Sequence, residues 1–218
     1  MATLCEGEYL VRSFCFDPEA VEQVKRRAIE DGVLRRGCTT FEAVAGFVLQ
    51  ARTKAMRMRP HQQTRLLCSI DIRRRLDPSL QSGYFGNGIV MANWVGPAAE
   101  LLERPISFAV GTVQEAVQAV TNDYVRSLVD YVEATRGEAH LSPATPVITT
   151  WYRLPFHAID FGWGEPLQCG PPALIYRDII MFLPRGKDSD NITVLLGLPS
   201  TAMVTFQELF MQVLRGDM

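Results

Sequence analysis

An α/β fold is what this sequence predicts, and three observations carry the expectation. Apolar runs of strand length alternate with segments whose apolar residues recur every three or four positions, and neither period dominates. The helical segments open on capping residues and stop at glycine or proline. A hydrophobic share of 47% with 21% charged residues over 218 positions is that of an ordinary globular protein. The length allows one large or two small domains, and one domain over 1–218 is expected, with no internal repeat and no low-complexity segment.

Each element follows from its own residues. Glu8 to Phe16 alternates as a strand, with Tyr9, Val11 and Phe14 available for burial. Asp17 then stands as an N-cap with Pro18 at the first helical position, where a missing N–H costs nothing. That helix runs to about Ile29 and ends at Asp31-Gly32. Thr39 with Glu42 three residues on makes a capping box for a second helix. Phe41, Val44, Ala45, Val48 and Leu49 give it one apolar face, and it should stop near Met58, ahead of Pro60.

Leu66 to Ile72 reads as a buried strand, followed by an Arg- and Pro-containing loop to Gly83. The run Gly83-Tyr84-Phe85-Gly86-Asn87-Gly88 is a glycine–aromatic turn leading into the apolar strand Ile89 to Val95. One long helix is expected from about Ser107 to Thr135, because Val110, Val113, Val117, Val120, Tyr124, Leu128 and Tyr131 recur as one buried stripe demands. Residues 136–146 read as a flexible linker inside the domain, ahead of a strand around Val147 to Tyr152. Ala173 to Leu183 and Asn191 to Leu196 form a strand pair joined by the polar turn Arg185 to Asp190, and a terminal helix begins near Ser200.

Composition excludes several classes of function. A net charge of -2 argues against a generic nucleic-acid surface, which favours a basic stripe. Arg73, Arg74 and Arg75 are the only dense basic run, read as a solvated face or an ion-pair cluster. No apolar run reaches the length of a membrane span, and the N-terminus lacks a signal pattern. Five cysteines, at 5, 15, 38, 68 and 169, are scattered without a C-x-x-C pair, fitting neither a disulfide framework nor a zinc site. A reducing cytoplasm is the expected compartment.

The histidines are His61, His140 and His157, and none sits in a nucleophile elbow. His157 precedes Asp160 by three places, so a carboxylate that orients an imidazole for general-base work is one reading. The other is that His157 flanks a loop while Asp160 serves the turn. No phosphate loop, dinucleotide fingerprint or metal pattern occurs. The most informative segment is Asp160-Phe161-Gly162-Trp163-Gly164, two glycines bracketing a tryptophan directly after an acid and a phenylalanine. It reads as a bend tied down by a carboxylate and gripped by aromatics.

On these two glycine–aromatic turns the chain resembles the BAHD family of acyl-CoA-dependent acyltransferases. That family carries an H-x-x-x-D motif in its first half and D-F-G-W-G near its C-terminus, and the second stands intact at Asp160, Phe161, Gly162, Trp163 and Gly164. Asp71-Ile72-Arg73, the turn with Tyr84, Phe85, Gly86 and Asn87, and Thr149-Thr150-Trp151-Tyr152-Arg153-Leu154 are similar to family signatures. Arg12-Ser13-Phe14, Cys38 through Ala43, Glu165-Pro166 and Leu195 through Pro199 are similar to the branch acting on ω-hydroxy fatty acids and fatty alcohols, enzymes of suberin and cuticle formation. The likeness runs from about Tyr9 to Phe210. Four places after His61, His140 and His157 stand Arg65, Ala144 and Phe161, so the chain contains no H-x-x-x-D.

The resemblance implies a chloramphenicol-acetyltransferase-like domain, a mixed sheet flanked by helices, forming the C-terminal half of a two-domain enzyme. The domain bearing the histidine motif would be absent. The implied reaction is transfer of a hydroxycinnamoyl group from CoA to an acceptor hydroxyl, with acyl-CoA as donor substrate and no permanent cofactor or metal. By family position Asp160 would pair with Arg73, Trp151 would line the acyl pocket, and Arg153 would meet an acidic acceptor's carboxylate, while Thr150 is a further pocket candidate and, with Trp151, a candidate donor to the oxyanion. Trp151 as a plain core aromatic stays open beside that role. The rival reading is a truncated, catalytically inactive homologue, acting as a binding or structural half or coming from an incomplete gene model; an unrelated α/β binding module is the third.

Overall fold

Two side-chain caps fix where the first helices begin in the computed structural model, which describes residues 8–136, 145–174, 177–185 and 190–217. Strand β1 (Tyr9–Phe16) runs straight into helix α1 (Pro18–Ile29), where Asp17 accepts the Ala20 N–H at 2.8 Å and Pro18 occupies the first turn. Helix α2 (Thr40–Ala55) opens on the full capping box: Thr39 Oγ1 accepts the Glu42 N–H at 3.3 Å, and Glu42 Oε2 accepts the Thr39 N–H at 2.8 Å. Then come strands β2 (Gln63–Asp71) and β3 (Ile89–Pro97), and helices α3 (Ala98–Glu103), α4 (Ile106–Gln118) and α5 (Asn122–Ala134). Strands β4 (Val147–Thr150), β5 (Ile179–Pro184) and β6 (Ile192–Pro199) precede the terminal helix α6 (Ser200–Arg215).

The six strands form one mixed sheet in the order β1-β6-β5-β4-β2-β3. β2, β4 and β5 are mutually parallel, with Leu67 opposite Val147 and Ile148 opposite Ile180, while β1–β6, β6–β5 and β2–β3 pair antiparallel. The first and last elements therefore meet at one edge, where Phe14 and Phe16 of β1 pack their rings edge-on against Phe206 and Phe210 of α6 and Phe47 of α2. Helices α1, α2, α4 and α6 pack on one another and on the strands around a single apolar core.

The expected elements form, with four differences. First, α2 is more than an amphipathic helix with one apolar face: from Ala43 to Ala55 every residue but Lys54 is buried, because α1, α4 and α6 enclose it. Its close contact with α4 is made at Gly46, which lacks the Cβ that would collide with Val110. Second, the single helix expected over 107–135 is two. Thr121 Oγ1 accepts the Tyr124 N–H at 3.2 Å and starts α5 anew. The apolar stripe keeps its phase across the break, so periodicity does not report it, and Tyr131 at its far end is 56% exposed. Third, α3 forms in a stretch where no element is expected. Fourth, Val11 is 51% exposed, Phe16 is buried with Phe14, and Tyr9 is half-buried. Positions 137–144 of the expected linker and 186–189 of the β5–β6 turn lie outside the described residues, as do 175 and 176, while Ala173 and Leu174 are irregular.

Candidate functional site

Both glycine–aromatic segments leave the same edge of the sheet. β2 and β4 are parallel neighbours, so their C-terminal ends, at Asp71 and Thr150, point the same way. Ser69 Oγ donates to Thr149 Oγ1 at 3.0 Å across that pair. Open sheets with parallel strands present functional groups at such C-terminal ends.

The loop after β2 is organised by Arg73. Its guanidinium pairs with Asp71 at 3.1 Å and donates to the Gly86 carbonyl at 3.0 Å, while its backbone N–H donates to Asp71 at 2.9 Å. The side chain crosses Gly88, where a Cβ would stand 2.9 Å from Arg73 Cγ. Asn87 closes the turn by accepting the Ile89 N–H at 3.2 Å, which starts β3. Tyr84 is 45% exposed and Phe85 wholly exposed.

The segment after β4 turns at once. The Trp151 N–H still donates to the Phe182 carbonyl at 2.7 Å, then the Leu154 N–H donates back to the Trp151 carbonyl at 2.9 Å. A one-turn 3-10 helix, Phe156–Ala158, follows. It sets the Phe156 ring 5.8 Å from that of Trp151, which is partly buried. Arg153 is exposed, with its guanidinium 5.4 Å from the Tyr152 ring centre. Thr150 Oγ1, Tyr152 Oη and both ring nitrogens of His157 are shut off from solvent yet make no hydrogen bond among the described residues. Leaving such groups unpaired costs about 1–3 kcal/mol each, so a cluster of them in eight residues is unusual.

Asp160 serves its own turn. One carboxylate oxygen accepts the Gly162 N–H at 2.7 Å and the Gly164 N–H at 3.0 Å, and both glycines have left-handed backbone, φ 95° and 92°. The expected Asp160–Arg73 ion pair is not made: Arg73 is held by Asp71 and Gly86, and Asp160 is exposed and faces the two glycine amides. Nor does Asp160 orient His157, whose nitrogens have no partner among the described residues. The aromatics of the turn, expected to grip it, point away: Phe161 is 83% and Trp163 94% exposed, and Leu167 just beyond the turn is 93% exposed.

Residue reasoning thus finds Thr150, Trp151 and Asp160 but passes over Tyr152, whose neighbours in the T-W-Y-R run were its only signal. It also misses Arg52, fully buried in α2 and paired with Asp178 at 3.2 Å just before β5, since nothing local marks a helix arginine as internal. Burial lowers the Arg52 pKa, and the nearby Asp178 charge opposes that shift. Among the described residues no cluster of His, Cys, Asp and Glu has the makings of a metal site, and no helix is long and apolar enough to cross a membrane.

Comparison with known proteins agrees with this geometry. Omega-hydroxypalmitate O-feruloyl transferase of Arabidopsis thaliana is 51% identical over 94% of this chain and 45% of its own length. Fatty alcohol:caffeoyl-CoA acyltransferase of the same plant is 43% identical over 94% of this chain and 46% of its own length. The chain therefore spans about half the length of these relatives. Among solved structures, F. graminearum TRI101 complexed with coenzyme A and deoxynivalenol matches 95% of this chain and 49% of its own with a TM-score of 0.81. Vinorine synthase matches 92% of this chain and 47% of its own with a TM-score of 0.72. Both are 17% identical to it, a likeness of fold. The chain matches the Transferase family over residues 3–213, and with the intact D-F-G-W-G turn and this fold it belongs to that family, the family of the BAHD acyltransferases.

Proposed function

We propose that this chain is the C-terminal half of an enzyme that moves a hydroxycinnamoyl group, feruloyl or similar, from CoA to the hydroxyl of an ω-hydroxy fatty acid or fatty alcohol. The observation that carries the reading is the 51% identity, over 94% of the chain, to a relative named for feruloyl transfer to ω-hydroxypalmitate. The whole of 1–218 serves as one domain, with 136–146 as a linker within it. A second half carrying H-x-x-x-D supplies the base. The activity is placed in the cytoplasm, on monomers of the suberin and cuticle type.

The chemistry is direct. The acceptor hydroxyl oxygen attacks the thioester carbonyl carbon while the histidine of the other half takes its proton. The tetrahedral intermediate then expels CoA by breaking the C–S bond, and the histidinium returns the proton to the departing sulfur. This chain forms one wall of the cleft. Trp151 and Thr150 line the acyl pocket beyond β4, and the buried, unpaired Thr150, Tyr152 and His157 groups take their hydrogen bonds from substrate or from the other half. Phe85, Phe161 and Trp163 lie on loops from the same sheet edge, and their exposure fits a surface that the other half covers. Arg153 binds the far carboxylate of an ω-hydroxy acid.

The test expresses the chain alone and together with the separately encoded N-terminal half of the 51% identical relative. Release of free CoA is followed from feruloyl-CoA with 16-hydroxypalmitate or hexadecanol. Turnover by the pair and none by the lone chain is expected. Turnover by the lone chain would remove the second-half base, and none by a pair that assembles would favour an inactive supporting half. In the active pair, Arg153→Ala should impair the ω-hydroxy acid more than the alcohol; equal losses would remove the carboxylate role.

A further inference from the structure

We propose that the helical side of this domain carries a second binding site, for a small organic monoanion with an apolar body, a carboxylate on an alkyl or aryl group. The site is a cavity of about 300 Å³ between α2, the end of α1, α6 and the α3–α4 turn. That volume lies at the small end of ligand pockets, about 300–1,000 Å³. It does not depend on the transferase reading, because none of its lining residues belongs to the loops after β2 and β4.

The cavity's floor and its charges come from different elements. α2 presents Phe47, Gln50, Ala51 and Lys54, spaced three and four apart on one face of the helix. Ile106 and Leu209 complete the apolar lining. Three cations reach the same space: Arg27, Lys54 and Arg104. Glu30, also in the lining, already pairs with Arg27 at 3.0 Å. Neither of the other two is paired with a carboxylate among the described residues. The Arg104 guanidinium carbon sits 3.8 Å from the Phe108 ring centre, and the Arg104 carbonyl accepts the Gln50 Nε2–H at 3.0 Å, so the turn that carries it is tied to the floor. Its N–H edges stay available for an acid group.

Lys54 is the one residue between Ala43 and Ala55 that is not fully buried. Its ammonium is nonetheless partly taken out of water, which lowers its pKa, and it makes no hydrogen bond or ion pair among the described residues. A desolvated cation without a partner is costly unless an anion meets it. Lys54, half out of water, and the exposed Arg104 beside it, set against an apolar floor, fit an amphiphilic anion. Glu30 nearby disfavours a dianion, so a carboxylate suits the site better than a phosphate monoester.

The experiment titrates the full chain with octanoate and 3-phenylpropanoate, and with octanamide and 3-phenylpropanamide as neutral counterparts. Calorimetry is combined with backbone amide NMR shifts. The acids should bind with a Kd of about 0.1–1 mM, as ligands of this size do. The amides should bind about tenfold more weakly, the loss of one charge-assisted hydrogen bond. Shifts should gather at residues 47–54 and 104–106. Lys54→Met, which keeps the apolar stem, should abolish the preference for the acid. Acids and amides binding alike, no binding at 10-fold the expected Kd, shifts centred on 72–88 or 151–170, or an unchanged preference in Lys54→Met would each overturn the proposal. If that variant does not fold, the acid–amide comparison and the shift map on the unaltered chain decide it.

Discussion

Replacing Gly46 by alanine sets two effects of opposite sign against each other. Gly46 lies in the interior of α2, where alanine is the better helix former by about 1 kcal/mol. The added Cβ, however, would stand 2.7 Å from Val110 Cγ2, 2.8 Å from Val110 N and 2.9 Å from Val110 Cα. Two of those atoms are backbone of α4 and cannot swing aside as a side-chain tip can. Relief requires α4 to retreat by about half an ångström or more to ordinary contact distance. The surroundings resist, since Val44, Ala45, Ala109, Val110 and Val113 are all wholly buried. Overpacking of a tight core costs about 1–3 kcal/mol, and backbone against backbone belongs at the upper end. The clash wins by about 1–2 kcal/mol, which for a chain this long lowers Tm by about 2–8 °C. Val110→Ala in the same background should recover little, because it removes Cγ2 and leaves N and Cα in place. Thermal or urea unfolding of Gly46→Ala and of the pair measures this. An unchanged or raised Tm, or full rescue by Val110→Ala, would refute the reasoning.

Three further outcomes follow from particular contacts. Burial pushes the Cys68 thiol up to about 12 from an ordinary 9, so the folded chain holds that proton where the unfolded chain releases it. The stabilisation is whole below pH 9 and declines at about 1.4 kcal/mol per unit from there towards pH 12. Unfolding of Cys68→Ala should lack that slope, and iodoacetamide at pH 8 should spare Cys68 while labelling Cys15 in the folded chain. Arg52→Met should cost about 2–4 kcal/mol in urea unfolding, short of the full buried-pair penalty because Asp178 is 32% exposed and water can reach it. Gly164→Ala meets no atom but must hold φ at 92°, so the turn should shift with little change in Tm while activity of the reassembled pair falls; a normal rate would show that the turn's geometry is dispensable.

How far the site was legible depends on the range of the interaction. The D-F-G-W-G turn and Asp160's part in it could be read locally, because the carboxylate bonds amides two and four residues on. The partner of Arg73 could not be chosen that way. Asp71 and Gly86 are near it in sequence and available, and they hold it where a family analogy pointed to Asp160. The break before α5 was written in Thr121 and was masked by a stripe whose spacing continues through it.

The sequence by itself determined the α/β class, the starts of α1 and α2, the strands that flank both glycine–aromatic turns, and membership of a transferase family. Caps, prolines, glycines and apolar periods act within a few residues, so they need no knowledge of what lies across the fold. Only the tertiary structure decided that the two turns leave one sheet edge, that α2 is enclosed on nearly every side, and that Lys54 and Arg104 share a cavity. Those facts depend on strand order and helix packing, which are settled by contacts between residues far apart in the chain, and no local pattern encodes which distant partner will be there.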